Sequence, residues 1–223
     1  GELEAARAAQ PLTIAEVRAE LRDIFLASAT PARLAALVRA AELPGALVGG
    51  RQVGVLVALA DAAQAGRLAD ALLGQRLRPA EVIAGVPAEA PSGVADAVRA
   101  ALGPLGRQGI RVTVTDAAPA GAGVEWARPL ARLASVPWLA LWPSAGGHLD
   151  GRPTPDYLLD LACARECAQA DAVGFGTVEY EFTRWLDEPA LVRASLLDPG
   201  GPAAGDWGSH GLRLFTIAAE RAS

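Results

Sequence analysis

The chain holds two histidines and two cysteines among 223 residues, so its chemistry rests mainly on carboxylates. His148 and Asp150 stand two apart, directly after Gly146-Gly147. An imidazole and a carboxylate at that spacing could hold a metal ion, although magnesium and manganese prefer oxygen donors. The same residues also read as a surface loop with the glycines at its turn. Glu179 and Glu181 share one face of an expected strand, alternating with Tyr180 and Phe182. They are either a carboxylate pair flanking a scissile bond or a solvated strand face. His210 follows Ser209 and lies four residues after Asp206, a spacing that does not by itself make a triad. Cys163 and Cys167 fall on one face of an expected helix, at a separation poorly suited to a disulfide, and read as small buried apolar residues. Gly121-x-Gly123 lacks the third glycine of a dinucleotide fingerprint.

The elements that must position these residues follow from hydrophobic periodicity. Thr13-Ile14-Ala15-Glu16 is a capping box, and Thr30-Pro31 is a second helix start, so residues 12–43 read as a helical hairpin stopped by Pro44-Gly45. Gln52–Leu59 is a near-continuous apolar run, as in a strand buried on both faces. Further strands are expected at Glu81–Val86, Ile110–Thr115, Pro137–Trp142, Ala172–Gly176, Val178–Arg184 and Arg213–Ala218. Helices are expected over Ala62–Gly74, from Ser92 as cap to Leu102, over Gly123–Ser135 with Pro129 early, and from Thr154-Pro155 through Ala168. Strand and helix alternate over 52–168, which predicts βαβ units, a mostly parallel sheet and ligands at the strands' carboxyl ends.

Composition narrows the class. The chain is 52% hydrophobic and 20% charged, values of a globular protein. Its net charge of −5 gives no global field for nucleic acid. All twenty basic residues are arginine, which with abundant Ala, Gly, Leu and Pro reads as a GC-rich coding bias. The longest apolar run, Val53–Ala60, has a strand's length and not a membrane span's, and no signal peptide is visible, so the expected location is cytoplasmic. Met is absent even at position 1, so the start reads as either processed or an expression scar.

The order of short motifs resembles family 2 glycosyltransferases, and among them the actinobacterial branch with a helical hairpin before the first strand. The resemblance is carried by Val53–Leu59, Arg67-Leu68, Ala71-Leu72, Gln75, Pro79 and Glu81-Val82-Ile83 at the front. Further on it is carried by Pro155–Leu161, Ala170-Asp171-Ala172-Val173-Gly174 and Pro189–Leu197. It implies an α/β fold of the GT-A type: a mostly parallel sheet flanked by helices over residues 51–223, behind an N-terminal helical hairpin over residues 1–50. It implies sugar transfer from a nucleotide-sugar donor, with magnesium or manganese neutralising the leaving diphosphate and a carboxylate base activating the acceptor hydroxyl.

Carried onto this sequence, the metal motif falls at Trp142–Asp150, where Asp150 is the sole carboxylate and His148 the neighbouring donor. The base falls at Asp206. Asp61, after the first strand, is either a contact to the uracil or ribose edge or a cap for the following helix. Trp142, with Trp138 on the same strand face, either stacks on a base or sugar or packs the core. Where the family has an acid at the end of the second strand, this chain has Gly85-Val86-Pro87; where it has Asn after Arg128, this chain has Pro129. Two functions therefore stand side by side: a glycosyltransferase-like domain that binds a nucleotide-sugar, and an inactive GT-A pseudoenzyme acting as scaffold, protein partner or homo-oligomer subunit.

Overall fold

The structure, a computed structural model, describes residues 16, 19–20, 23–24, 53–118, 124–142, 154–176, 190–198, 200–201 and 211–218. Among the described residues seven strands form one sheet: β1 Val53–Ala58, β2 Glu81–Pro87, β3 Arg111–Ala118, β4 Trp138–Leu141, β5 Ala172–Gly176, β6 Leu191–Arg193 and β7 Leu214–Ala218. From residue 53 on, the helices among the described residues are α1 Ala62–Leu73, α2 Val94–Arg107, α3 Ala127–Ala131 and α4 Tyr157–Ala168, with a 3-10 turn at Ala194–Leu197. The sheet order is β3-β2-β1-β4-β6-β5-β7. All pairings are parallel except those of β6, which runs antiparallel to both β4 and β5.

The alternation of apolar side chains along β1 and β4 builds a core on each face of the sheet. Val55, Val57 and Ala140 face α1, α2 and α4, where Leu72, Leu102 and Leu158 are fully buried. Leu56, Ile83 and Leu139 face α3 and the 3-10 turn, against Leu130 and Leu197. Each such leucine contributes about 2 kcal/mol of transfer free energy. Two apolar faces explain the unbroken runs that the sequence shows in these strands.

Several boundaries differ from the sequence expectation. Helix α2 starts at Gly93, in the left-handed conformation (φ 89°), and not on a Ser92 cap. It continues past Leu102 through Pro104, because fully buried Leu105 anchors its last turn and Asp96 and Arg107 complement its dipole. Helix α3 is five residues long, with Pro129 in its first turn, where its missing N–H would have no helical acceptor. Strand β6 has three residues and no sequence signal; its place depends on the β4 and β5 edges that it joins. The strand expected at 178–184 lies outside the described residues, as does most of the hairpin expected at 12–43. Of that hairpin, Glu16, Ala19, Glu20, Asp23 and Ile24 are described and helical.

Candidate functional site

The strand order reverses between β1 and β4: the chain steps outward from β1 to β2 and β3, then returns to β4 on the other side. In open α/β sheets the flanking connections diverge at such a reversal, and ligands bind there, at the strands' carboxyl ends. The backbone fixes what reaches it. Leu59 N–H donates to Gly85 O (2.9 Å), which sets Asp61 beyond the end of β1. Trp142 N–H donates to Leu56 O (2.8 Å), which sets Trp142 at the end of β4 beside β1. Asp61 and Trp142 thus come to neighbouring strand ends.

Asp61 is exposed and caps α1: its Oδ1 accepts from Gln64 N–H at 2.7 Å. Gln64 Oε1 in turn accepts from Ala60 N–H at 2.9 Å, a reciprocal lock that holds the chain as it leaves β1. The capping half of the Asp61 expectation is what the geometry shows; the contact to a nucleoside is a matter of ligand.

Trp142 is packed: it is 6% exposed and meets Tyr157 edge to face, with ring centroids 5.3 Å apart. Burial pushes the Tyr157 phenol above its ordinary pKa, since ionising it there loses hydration. Trp138, on the same sheet face, is also 6% exposed and lies under the guanidinium of Arg165 at 4.4 Å. Both tryptophans therefore occupy the core-packing position of the two considered for them. His148 and Asp150 belong to the sequence stretch 143–153, between Trp142 and Thr154. Those two residues lie outside the described residues, as do Asp206, Glu179, Glu181 and His210.

A cleft of about 350 Å3 opens at the carboxyl ends of β2 and β3, beside the start of α2. Val86, Pro87 and Pro91 form its apolar side. Ser92, Asp116 and the Asp96–Arg99 ion pair form its polar side. Asp96, Arg99 and Asp116 belong to no motif in the sequence; the signal there is an acid directly after Thr113-Val114-Thr115.

No group of three His, Cys, Asp or Glu side chains comes together among the described residues. At the end of β4 these residues offer buried Leu141 and Trp142 and no carboxylate. They do not by themselves fit a divalent cation.

Other polar side chains that resemble site residues hold the frame together. Glu81, 1% exposed, accepts from Ser135 N–H (2.8 Å) and Val136 N–H (3.2 Å) and pairs with Arg111, at the amino end of the sheet and away from the crevice. Gln75 joins α1 to the start of α4. Its Nε2 donates to Thr154 O (2.6 Å), and its Oε1 accepts from Leu158 N–H (3.0 Å). Arg128 donates to Asp198 O (2.9 Å) and pairs with Glu125, tying α3 to the turn after the 3-10 helix. A Cβ on Gly201 in that turn would sit 3.0–3.2 Å from Asp198 O, Leu196 O and Arg128 Nη1, so a side chain there would push these neighbours aside.

No protein-family model matches the chain, and no curated protein sequence matches it. Solved structures do. The mannosyltransferase PcManGT of Pyrobaculum calidifontis, solved with GDP-Man and Mn2+, is 15% identical over 90% of this chain and 66% of that one, at a TM-score of 0.51. Glucosyl-3-phosphoglycerate synthase of Mycobacterium tuberculosis, solved with Mn2+, uridine diphosphate and phosphoglyceric acid, is 15% identical over 87% of this chain and 75% of that one, at 0.50. Residues 1–349 of S. aureus TarS, solved with UDP, match at 14% identity and a TM-score of 0.48. The chain spans 48% of that TarS fragment and 66% of the mannosyltransferase. At these identities the likeness concerns the fold, which is the GT-A fold of nucleotide-sugar transferases.

Proposed function

We propose that this glycosyltransferase-like domain binds a nucleotide-sugar at the carboxyl edge of its sheet. The observation that carries the reading is the strand reversal between β1 and β4, with Asp61 held at its rim in a GT-A frame. Asp61 Oδ1 is engaged in capping, so the carboxylate is fixed in place and its second oxygen is offered to a ribose or base edge. The described rim also carries Glu89, Asp96, Asp116 and Glu125, so an anionic diphosphate needs a cation beside it. On this reading His148 and Asp150 supply donors that the described residues lack, and Asp206 is the base for an acceptor hydroxyl.

Thermal unfolding with UDP- and GDP-sugars, with and without manganese, tests this. A ligand at a hundred times its Kd stabilises by about 2.7 kcal/mol, which raises the Tm of a chain of this size by roughly 5–10 °C. Expected is such a rise with one nucleotide class, larger with manganese. No rise with any nucleotide-sugar refutes the reading.

A second reading is favoured by Gly85-Val86-Pro87 at the end of β2 and Leu141-Trp142-Pro143 at the end of β4, both apolar where the resemblance calls for acids. It makes the domain an inactive pseudoenzyme that serves as a scaffold or partner subunit. A nucleotide-independent Tm together with self-association in sedimentation supports it; nucleotide binding with sugar transfer removes it.

A further inference from the structure

The sheet separates charge between its two ends. At the carboxyl end, the acidic rim described above is offset by Arg99 and Arg128, each of which already pairs with a carboxylate. At the amino end, seven exposed arginines among the described residues emerge from five connections: Arg76, Arg78, Arg107, Arg111, Arg132, Arg193 and Arg213. The carboxylates beside them among the described residues are Glu81, buried against Arg111, Asp156, paired with Arg76, and Asp171, paired with Arg193.

Contacts run along this end from one side of the sheet to the other. Arg78 Nη1 donates to Gln108 Oε1 (3.2 Å), and Arg111 Nη2 donates to Ser135 Oγ (2.7 Å). The Arg193 guanidinium lies 5.6 Å from the centre of the Trp138 ring, and Arg213 N–H donates to Asp171 Oδ2 (3.0 Å). With strands about 4.8 Å apart, the row is on the order of 30 Å long. Its sign is opposite to that of the whole chain, whose net charge is −5.

We propose that this amino end docks on an anionic lipid bilayer. The charge is spread along a row and not gathered in a pocket, which suits a plane of phosphate headgroups; guanidinium binds phosphate through paired N–H donors. Leu133, beside Arg132, is 45% exposed on the same end and gives the row an apolar side chain for the headgroup region. A protein partner would call for an apolar centre, and Leu133 is the one exposed large hydrophobic among the described residues of this end. The phosphate backbone of a nucleic acid offers Leu133 nothing. Docked this way, the domain holds its carboxyl-edge crevice toward water, open to a soluble ligand.

The test is co-sedimentation of the full chain with equimolar phosphatidylserine–phosphatidylcholine vesicles, against pure phosphatidylcholine. Expected is salt-sensitive binding to the anionic vesicles alone. Each guanidinium lost weakens such binding about five-fold, so Arg78→Gln/Arg132→Gln/Arg213→Gln together weaken it about a hundred-fold. Arg67→Gln, exposed on α1, leaves it unchanged, and matched melting curves show that the variants fold. The proposal is overturned if the chain ignores anionic vesicles, if the triple variant binds as well as the parent, or if polyglutamate or duplex DNA binds the chain while the vesicles do not.

Discussion

Replacing Gln75 tests how the frame around the crevice is held. Helix α4 begins at Tyr157 with Asp156 as its N-cap, yet Asp156 makes no side-chain capping bond. The second N–H of the helix, on Leu158, is accepted instead by Gln75 Oε1 from the end of α1. The Gln75 side chain is buried, at 4% exposure, and its Nε2 is spent on Thr154 O. Gln75→Ala removes a cap of about 1 kcal/mol and a second hydrogen bond of about 1 kcal/mol, and leaves a small cavity, so the expected loss is about 3 kcal/mol. For a chain of this length that lowers the Tm by roughly 6–12 °C.

Gln75→Glu separates the two bonds. It keeps the acceptor for Leu158 N–H but sets a carboxylate against the Thr154 carbonyl, which favours the protonated acid and raises its folded pKa above the unfolded value of about 4.3. A raised folded pKa gives stability that is present below the unfolded pKa and lost as pH rises through the folded one. The variant therefore gains on the parent toward pH 4 and falls behind toward pH 7. Urea unfolding at several pH values, followed by tryptophan fluorescence, reads both effects. A loss under about 0.5 kcal/mol for Gln75→Ala, or a pH-independent Gln75→Glu, would refute the account.

Other perturbations have equally definite outcomes. A Cβ on Gly54 would lie 2.9 Å from both Glu81 Cγ and Val136 Cγ2, so Gly54→Ala displaces the Glu81 network and costs about 1–3 kcal/mol in chemical denaturation. Glu81→Leu leaves the Ser135 and Val136 backbone N–H groups without their acceptor, while half-exposed Arg111 keeps Ser135 Oγ, for a loss of about 2–4 kcal/mol, measured in the same way. Asp61→Ala gives up about 1 kcal/mol of capping, whereas Asp61→Asn keeps the cap; if the carboxylate meets the donor, Asp61→Asn loses nucleotide affinity at unchanged Tm, as calorimetry would show. Burial raises the Tyr157 pKa above its ordinary 10.0, so the unfolded chain releases this proton first and stability falls as pH climbs past that value. Tyr157→Phe flattens this alkaline limb.

The sequence by itself determined the parallel sheet and the helices against it. Local periodicity is enough for that: Val53–Ala58 is apolar on both faces, and the α1 pattern places Leu68 and Leu72 inward. It also determined that Asp61 and Trp142 stand at strand ends, since each directly follows an apolar run. What those residues do there was left to tertiary structure. Trp142 became a core residue because Tyr157, fifteen positions on, packs against its ring. Gln75 became a helix cap because α1 ends beside the start of α4, across eighty-three residues of chain. Strand β6 exists because β4 and β5 leave a gap of one strand between them. The arginines of the amino end are scattered through the sequence from Arg76 to Arg213, and the sheet alone gathers them into a row. Short-range pattern fixes which face of an element is buried; which side chains meet depends on contacts between residues far apart in the chain, and no local signal carries that information.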